Sequence, residues 1–421
     1  MLIYLVLQFF CSTFAFGMRR SWIIGILALV SVCAWSGESK QPTKGLLFFY
    51  RSGQWVDNYL LHGIDTSYIV LPEHSWRVAF TSGMVGINSA LHSDYTIKVI
   101  DYPLTVSMYN RTTPSVDLGF NVGFRGIGFG YSWDALHAYA RKINFSFGTK
   151  YIGLDFSHQT STNIKTNIAA NDNPIPSLDS ENNVVITNTN LNVWYALNAA
   201  HYSHSAAMKQ SYLQRKSAGS LLLHLSYLSS KLELGDTVMI KQADNPTLPA
   251  MMKGVRGMTT RQVAVGLGYG INYTPNEGKL VLHASAAAML VCYSVNHIAY
   301  LFPDSIQASL PGEALFTLHS AKPVHVTGNV RAAISWEINQ WVHLSAWATG
   351  DHIRFTSEKT ENDNVLRLSS WNWKVQLTVG VRFGAGKDRV QRALGNPQIT
   401  TDHRTHDRIP LWITDYFWSP K

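Results

Sequence analysis

Outside its first 36 residues, the chain lacks a hydrophobic run long enough to cross a membrane as a helix. The longest candidate runs from Ala284 to Val295 and falls well short of the roughly 20 residues that such a helix needs. Charged residues are also scarce, at 15% of the chain, while aromatic residues reach 12%. No basic run with interleaved aromatic residues indicates nucleic-acid binding, so no nucleic-acid partner is expected.

An export signal is predicted at the N-terminus, with translation beginning at Met1 or at Met18. Met18 to Arg20 provides a basic segment, Trp22 to Val32 an apolar segment, and Ala34 to Ser36 small residues suited to cleavage. Residues 1–36 are therefore assigned to a signal peptide. A membrane anchor and a lipoprotein site at Cys33 are the alternatives.

Removal of this signal would lower the formal net charge from +8 to +6 and leave Cys292 as the single cysteine. An internal disulfide is then excluded, so the exported protein must be stabilised by its core or by closure of a sheet. The basic excess predicts lipopolysaccharide and other anionic outer-membrane lipids as partners.

The segment from Trp371 to Phe383 has a strict period of two. Its odd positions are apolar or aromatic and its even positions are polar or glycine, which is typical of a strand with one wet and one apolar face. From Trp373 to Phe383 the strand rises about 33 Å, or about 25 Å when tilted, the height of the lipid-facing band of an outer-membrane barrel.

Eleven further segments resemble this one to varying degrees. A tight turn at Arg125-Gly126 joins two of them into a β-hairpin. The twelve predicted strands cover 97–109, 116–124, 127–133, 142–149, 151–159, 183–198, 219–232, 260–273, 279–295, 325–338, 341–356 and 370–383. Their connections alternate between short and long, as in outer-membrane barrels, except that 199–218 is long where a short turn is due.

The predicted fold is therefore an all-β transmembrane antiparallel β-barrel of about 12 strands. The barrel occupies 97–384, after a periplasmic lead-in at 37–96 that includes a partial plug or the first strand, and before a C-terminal tail at 385–421. A short helix is predicted near Val56 to Leu61. A soluble two-sheet sandwich is the structural alternative. The expected location is the Gram-negative outer membrane, with the general barrel-assembly machinery as a further partner.

Several motifs resemble a Bacteroidetes family of outer-membrane barrels known as a domain of unknown function. They are the run Gly63 to Ile69, Leu71-Pro72, Trp76 to Val78, the glycine-rich hairpin Leu118 to Trp133, Ala206-Ala207, Gln210 to Tyr212 and Lys216 to Ser220. The resemblance covers about 55 to 384 and implies an outer-membrane barrel. It implies no activity and no catalytic residues.

The polar faces of the strands predict which side chains enter the lumen. The ionisable candidates are Asp117, Asp134, Asp155, His224, His283, Arg331, Glu337, His343, Lys374 and Arg382. They either select solutes or pair with one another in a filled interior; a filled or narrow interior is favoured. A lipid-facing aromatic girdle is predicted at Trp336, Trp371, Trp373 and Phe383.

Histidine and serine cluster only at His201 to Ser205. A catalytic site, a metal site and a polar turn are the alternatives there, and the turn is favoured. The following Lys209 to Lys216 segment is predicted to be a solvated periplasmic turn, with contact to peptidoglycan or another envelope protein as the alternative. No cofactor and no metal is expected. The favoured function is a non-enzymatic barrel acting as a narrow pore, in lipid or polysaccharide handling, or as a scaffold; the alternative is a lipid-modifying enzyme.

Overall fold

The computed structural model describes residues 63–383 with gaps at 75, 98–101, 114–115, 136–139, 150, 163, 175–179, 182, 236–254, 276–277, 301–313, 321–324 and 359–364. The predicted signal peptide, the helix near Val56 to Leu61 and the tail at 385–421 lie outside the described residues. Within these residues, no helix is both long and apolar enough to span a membrane.

Nineteen strands and one helix are formed in the described residues. The first ten strands are β1 (Ile69–Val70), β2 (Trp76–Ile97), β3 (Tyr102–Thr112), β4 (Asp117–Phe124), β5 (Ile127–Asp134), β6 (Ala140–Gly148), β7 (Ile152–Ser161), β8 (Ile164–Ala170), β9 (Asn173–Pro174) and β10 (Ser180–Glu181). There follow β11 (Val184–Ala196), α1 (His204–Lys209), β12 (Leu213–Gln214), β13 (Ala218–Leu234), β14 (Val255–Tyr273), β15 (Leu280–Tyr300), β16 (Ala314–His319), β17 (His325–Glu337), β18 (Val342–Thr356) and β19 (Val365–Phe383).

Twelve of these strands close into a ring. The antiparallel order is β2, β4, β5, β6, β7, β11, β13, β14, β15, β17, β18 and β19, and β19 returns to β2 with Phe383 opposite Trp76. Closure pairs the backbone of every wall strand, as a membrane-spanning sheet requires. The prediction of a twelve-stranded antiparallel barrel is confirmed, and the sandwich alternative is wrong.

The outer face of the wall is apolar. On β19, the side chains of Trp371, Val375, Leu377, Val379 and Val381 are about half exposed or more, whereas the intervening Lys374, Gln376 and Arg382 are buried inside. Exposed aliphatic and aromatic side chains continue around the ring on β13, β14 and β17. This is the surface that a transmembrane barrel presents to lipid.

The first wall strand differs from the prediction. It is Trp76–Ile97 rather than 97–109, and so lies almost entirely in the lead-in at 37–96, for which a partial plug or the first strand was predicted. The β4 strand pairs with the first half of β2, and β3 pairs with the second half. A single strand of 22 residues thus borders two successive partners, which blurs the period of two in its sequence. The count of twelve holds, but its first member was misplaced.

The two ends of the barrel are built differently. At one end, here called the short-turn end, the wall strands are joined by 125–126, 149–151, 274–279 and 338–341. At the other, the long-loop end, the connections between β7 and β11 and between β15 and β17 contain additional strands. Residues 160–182, predicted as loops, include β8, which pairs with β3.

An apolar core fills the long-loop end. One buried cluster takes in side chains from β2, β3, β8, β11 and β13, namely Ile87, Val106, Met108, Ile164, Ile168, Val184, Ile186, Leu232 and Leu234. A second cluster contains Met258, Phe355, Leu366 and Leu368. Leu91 packs against both clusters, so the two clusters form one continuous apolar core.

Candidate functional site

The connection between β11 and β13, residues 197–217, turns into the barrel and occupies its short-turn end. We call it the plug. Residues from Tyr202 to Ala207 are all buried, and α1 contacts β14, β15, β17 and β18. The helix ends at Gln210, whose φ of 55° is left-handed. The expectation of a solvated turn at Lys209 to Lys216 was wrong, because Gln210 to Gln214 are buried.

A glycine in the wall makes room for the plug. Gly270 on β14 faces inward, and a Cβ added there would collide with the hydroxyl of Tyr202. The sequence shows a stripe of alternate glycines at Gly266, Gly268 and Gly270. At Gly270 the missing side chain therefore allows the buried Tyr202 ring to approach the strand.

Gln214 is the centre of the plug's own hydrogen bonds. Its Nε2 donates to the carbonyl oxygens of His201 (2.6 Å) and Lys216 (2.9 Å), which leaves Oε1 to accept. That oxygen accepts from the backbone N–H of Ser203 (3.0 Å) and from Nδ2 of Asn272 (3.1 Å). Because these partners fix the direction of the amide, Gln214 ties the plug to β14.

The hydrogen bonds of Gln214 continue through Asn272 to His283 and Ser285 in the barrel wall. Asn272 donates from Nδ2 to the carbonyl of Ser203 (2.8 Å), so its Oδ1 accepts from Nδ1–H of His283 (2.8 Å). In the neutral ring Nε2 then lacks a proton and accepts from the hydroxyl of Ser285 (3.2 Å). The tautomer of His283 is therefore inferred from the hydrogen bonds of the plug.

The plug is also held by charge. Lys209 of α1 forms an ion pair with Asp155 of β7, and Arg331 of β17 donates from Nη1 to the other oxygen of that carboxylate at 2.9 Å. Both cations lie over the ring of Trp194, with Nζ of Lys209 at 4.5 Å from its centroid. A single carboxylate thus joins the plug to two wall strands.

A second charged contact holds the plug nearer the short-turn end. Arg382 of β19 donates from Nη2 to Oε1 of Gln210 (2.6 Å) and from Nη1 to Glu337 of β17 (3.0 Å). Only 1% of Arg382 is exposed. A buried arginine needs such partners, because an uncompensated charge in the interior is costly.

The segment before the barrel covers the plug from below. Strand β1 pairs with β12 of the plug, Ile69 opposite Gln214, and Ile69 packs with Ala206 and Tyr212. Nearby, Oδ1 of Asp65 accepts from the backbone N–H of Ser67 at 2.9 Å. Hydrogen bonds from Ser67, aided by the proximity of His201, hold the pKa of Asp65 below its ordinary value.

Above the plug lies a cavity of about 180 Å³, here called the chamber. Four cationic side chains line it, Arg77, Lys142, Lys209 and Arg331, together with the two carboxylates of Asp155 and Asp351. The remaining lining is rich in amides and hydroxyls: Asn121, Asn144, Asn190, Asn192, Gln210, Gln376, Ser146, Ser157, Ser345, Thr349 and Thr378. The chamber therefore lies between a polar plug and the apolar long-loop core.

The second carboxylate of the chamber is held by amides. Asp351 accepts from Nδ2 of Asn329 and, at 3.4 Å, from Nδ2 of Asn190. Asn190 in turn accepts from Asn192 at 3.0 Å. The negative charge of Asp351 is thus stabilised by neutral donors, one from the adjacent β17 and one from β11 across the lumen.

The structure places the ten predicted lumen residues on the inner side of the wall and distributes them over three places. Asp155, Arg331 and His343 line the chamber, while Glu337, Arg382, His224 and His283 lie at or near the plug. Lys374 lies over the Trp347 ring with its Nζ 4.6 Å from the centroid. Asp117 and Asp134 lie opposite each other on β4 and β5 and are buried, but neither lines the chamber.

The predicted girdle residues occupy the outer face. Trp336 and Trp371 are each 49% exposed. Phe383 stacks on Trp76 across the closing seam, with ring centroids 6.4 Å apart. Trp373 covers Gly86 of β2 so closely that a Cβ there would collide with its indole.

Four ionisable residues of the chamber were missed. Lys142 lies within a predicted strand and Arg77 within the predicted lead-in, but neither was identified as facing a site, and Asp351 lies at an inward position of β18. Lys209 belongs to the plug, whose inward turn has no periodic signal. In the sequence, the plug is indicated only by the 199–218 connection, which is long where a short turn is due.

The histidines of the His201 to Ser205 cluster face different surroundings. His201 lies near the rim, with Nε2 3.5 Å from Asp65. His204 is buried. Its Nδ1 is hydrogen-bonded to the Tyr202 hydroxyl (3.0 Å), and its ring packs against Trp194 and His283. The cluster is therefore part of the plug. No group of three or more potential metal-ligating side chains occurs among the described residues.

The comparison with protein families identifies the chain. Residues 63–383 match the family described as a domain of unknown function, DUF4421. The chain belongs to this family. No curated protein matches it.

Several solved outer-membrane proteins show a weak structural likeness. The outer-membrane protease OmpT of Escherichia coli is 8% identical, with 75% of this chain and 98% of that chain covered and a TM-score of 0.37. The β domain of the Bordetella autotransporter BrkA is 10% identical, with coverages of 74% and 100% and a TM-score of 0.28. The Pseudomonas putida toluene transporter TodX is 10% identical, with coverages of 74% and 91% and a TM-score of 0.24.

Proposed function

We propose that this protein is a non-enzymatic outer-membrane barrel that holds a small polar solute in its chamber and admits it from the periplasmic side. The observation that carries the proposal is the asymmetry of the chamber's two boundaries. An apolar core closes the long-loop end. The plug below combines small apolar clusters with many hydrogen bonds and ion pairs that water can replace. Of the functions expected from the sequence, a narrow pore fits this arrangement least.

The wall supports an orientation in the outer membrane. Outer-membrane barrels keep short turns in the periplasm and long loops outside, which would place the plug at the periplasmic face. The apolar outer surface and the net positive charge favour contact with anionic outer-membrane lipids, including lipopolysaccharide. A closed barrel of this kind also needs the general barrel-assembly machinery.

Thiol labelling tests access to the chamber. Ser345 lines the chamber and is buried, so Ser345→Cys in a Cys292→Ser background reports entry of a small membrane-impermeant methanethiosulfonate. We expect slow reaction from outside intact cells and from the periplasmic side. Adding Gln214→Ala should speed the periplasmic reaction severalfold, because this removes the centre of the plug's hydrogen bonds.

Ser217→Cys provides the matched control, since Ser217 is exposed at the short-turn end and should react rapidly with or without Gln214→Ala. Heat-dependent gel mobility shows whether each variant is a folded barrel. Rapid labelling of Ser345→Cys from outside, or no response to Gln214→Ala in a folded barrel, would contradict the proposal. A steady open-pore current from the wild type in a planar bilayer would also contradict it.

A lipid-modifying enzyme is the second candidate. Ser285, His283 and Asn272 form a nucleophile, base and orienting group at hydrogen-bonding distances of 3.2 and 2.8 Å. However, Tyr202 and His204 of the plug pack against His283, so the same contacts serve to anchor the plug. A fluorophosphonate probe that labelled Ser285, with loss of labelling in His283→Ala, would favour the enzyme.

A further inference from the structure

The chamber contains more positive than negative charge. Its four cations face two carboxylates, and one of these, Asp155, is already shared between Lys209 and Arg331. The other, Asp351, receives its hydrogen bonds from Asn329 and Asn190. Two cations therefore remain without a carboxylate of their own.

Arg77 is the first of these. It reaches into the chamber from the start of β2, and its guanidinium lies against Gly123 and Gly128 on the neighbouring wall, where Cβ atoms are missing. Among the described residues it forms no ion pair, and its Nε has no hydrogen-bond partner. The charged groups nearest to it include Arg382 and Lys209, so its surroundings repel rather than neutralise it.

Lys142 of β6 is the second. It also lines the chamber and forms no ion pair with the described carboxylates, although Asp117, Asp351 and Asp155 attract it from beyond ion-pairing distance. Its ammonium group lies close enough to that of Lys374 to interact. Two neighbouring ammonium groups repel each other, and burying an unpaired charge in a protein costs several kcal/mol in general.

We infer that the chamber is a binding site for a small phosphate-bearing solute, whose phosphate lies between Arg77 and Lys142. A phosphate dianion carries the two charges that would neutralise both. The guanidinium of Arg77 offers paired N–H donors that match phosphate oxygens, whereas the lysine acts as a point charge. This inference deepens the proposed function, since it names the class of solute that the chamber would hold.

The lining also indicates what accompanies the phosphate. The cavity of about 180 Å³ is larger than a phosphate group needs, and amide and hydroxyl side chains such as Asn121, Asn144 and Thr349 surround the cations. Such groups bind hydroxyls or further oxygens of a small polar body. A lipid headgroup is disfavoured because the site lies on the inner side of a closed wall.

Binding of inorganic phosphate to the full chain in detergent tests the inference. Isothermal titration and thermal unfolding would be compared in sodium phosphate and in sodium chloride of equal ionic strength. We expect phosphate to bind and to raise the unfolding temperature more than chloride does. Arg77→Gln and Lys142→Gln should each weaken phosphate binding about tenfold, as loss of one charge-assisted contact predicts.

Two variants serve as controls. Lys231→Gln removes a cation from an exposed ion pair with Glu233 and should leave phosphate binding unchanged. Arg77→Lys keeps the positive charge but lacks the paired N–H donors of the guanidinium. It should weaken phosphate binding less than Arg77→Gln does. Heat-dependent gel mobility again shows that each variant is folded, and Gln214→Ala ensures that a closed plug does not hide the site.

Absence of phosphate binding in both the wild type and Gln214→Ala would overturn the inference. So would equal binding by wild type, Arg77→Gln and Lys142→Gln, because the phosphate would then lie elsewhere. Either result is compatible with the labelling expected for Ser345→Cys, so failure of the ligand assignment and failure of the gated chamber can be told apart.

Discussion

The two halves of the lumen are closed by opposite means. At the long-loop end, Phe355, Ile164 and Val184 belong to apolar clusters in which each side chain is almost completely buried. At the short-turn end, Gln214, Asp155 and Arg382 hold the plug through hydrogen bonds and ion pairs. Both ends contain buried apolar clusters, but the plug depends in addition on many polar contacts that water can replace.

This difference has a thermodynamic consequence. Moving an apolar core apart exposes its surface to water at about 25 cal/mol per Å², and nothing in water offsets that cost. A hydrogen bond released to water loses only about 1 kcal/mol net. The plug is therefore the part of the interior that can open while the barrel stays folded.

The largest effect is expected from Phe355→Ala. Phe355 has no exposed surface and packs with Met258, Leu366 and Leu368, so truncation should lower the free energy of unfolding by about 3–5 kcal/mol. Urea unfolding in detergent measures this. Leu377→Ala on the lipid-facing surface should cost less, and equal losses would show that the long-loop core is not tightly packed.

Val379→Lys tests the wall that both halves share. Val379 faces outward and is half exposed, whereas Thr378 faces the chamber. A lysine facing the lipid near the midplane should cost about 2–4 kcal/mol. Thr378→Lys should impair folding yield in lipid vesicles far less, and similar yields for the two variants would mean that the faces are reversed.

Asp155→Asn should loosen the plug without opening the barrel. The change leaves Lys209 and Arg331 without their shared carboxylate. We expect the free energy of unfolding to fall by about 2 kcal/mol, less than the roughly 3–5 kcal/mol of a fully buried pair, because the site borders a polar chamber. Limited proteolysis after Lys209 and Arg215 should accelerate. Glu233→Gln at the exposed pair with Lys231 should not change it.

The smallest effect is expected from Gly270→Ala. The added Cβ would meet the Tyr202 hydroxyl, and such overpacking costs about 1–2 kcal/mol. Hydrogen exchange of the plug should increase while that of the long-loop core stays constant. Gly328→Ala is the matched control, because its Cβ would contact only the Ala287 carbonyl oxygen, at 3.6 Å.

Much of the wall could be predicted because alternation is a local property. Trp371 to Phe383 alternates strictly since each strand has lipid on one side and a polar lumen on the other. In the structure this strand closes the barrel against β2, with Val379 opposite Phe80. The first strand itself was misplaced because β2 has different partners along its length.

The interior could be predicted only in part. Period-two positions indicate which side chains face inward, and Asp155 and Arg331 were found in this way. They do not indicate which distant strands a side chain will reach, so the meeting of Asp155, Arg331 and Lys209 was not foreseen. The plug was missed for a related reason, since its contacts join residues as far apart as Gln210 and Arg382.

Amide hydrogen exchange of the folded protein in detergent, followed by mass spectrometry, tests the central claim most directly. If the plug is the movable part, amides of α1 and β12 should exchange well before those of β8 and of residues 365–368 in the long-loop core. Protection of the plug equal to or greater than that of the long-loop core would contradict the account.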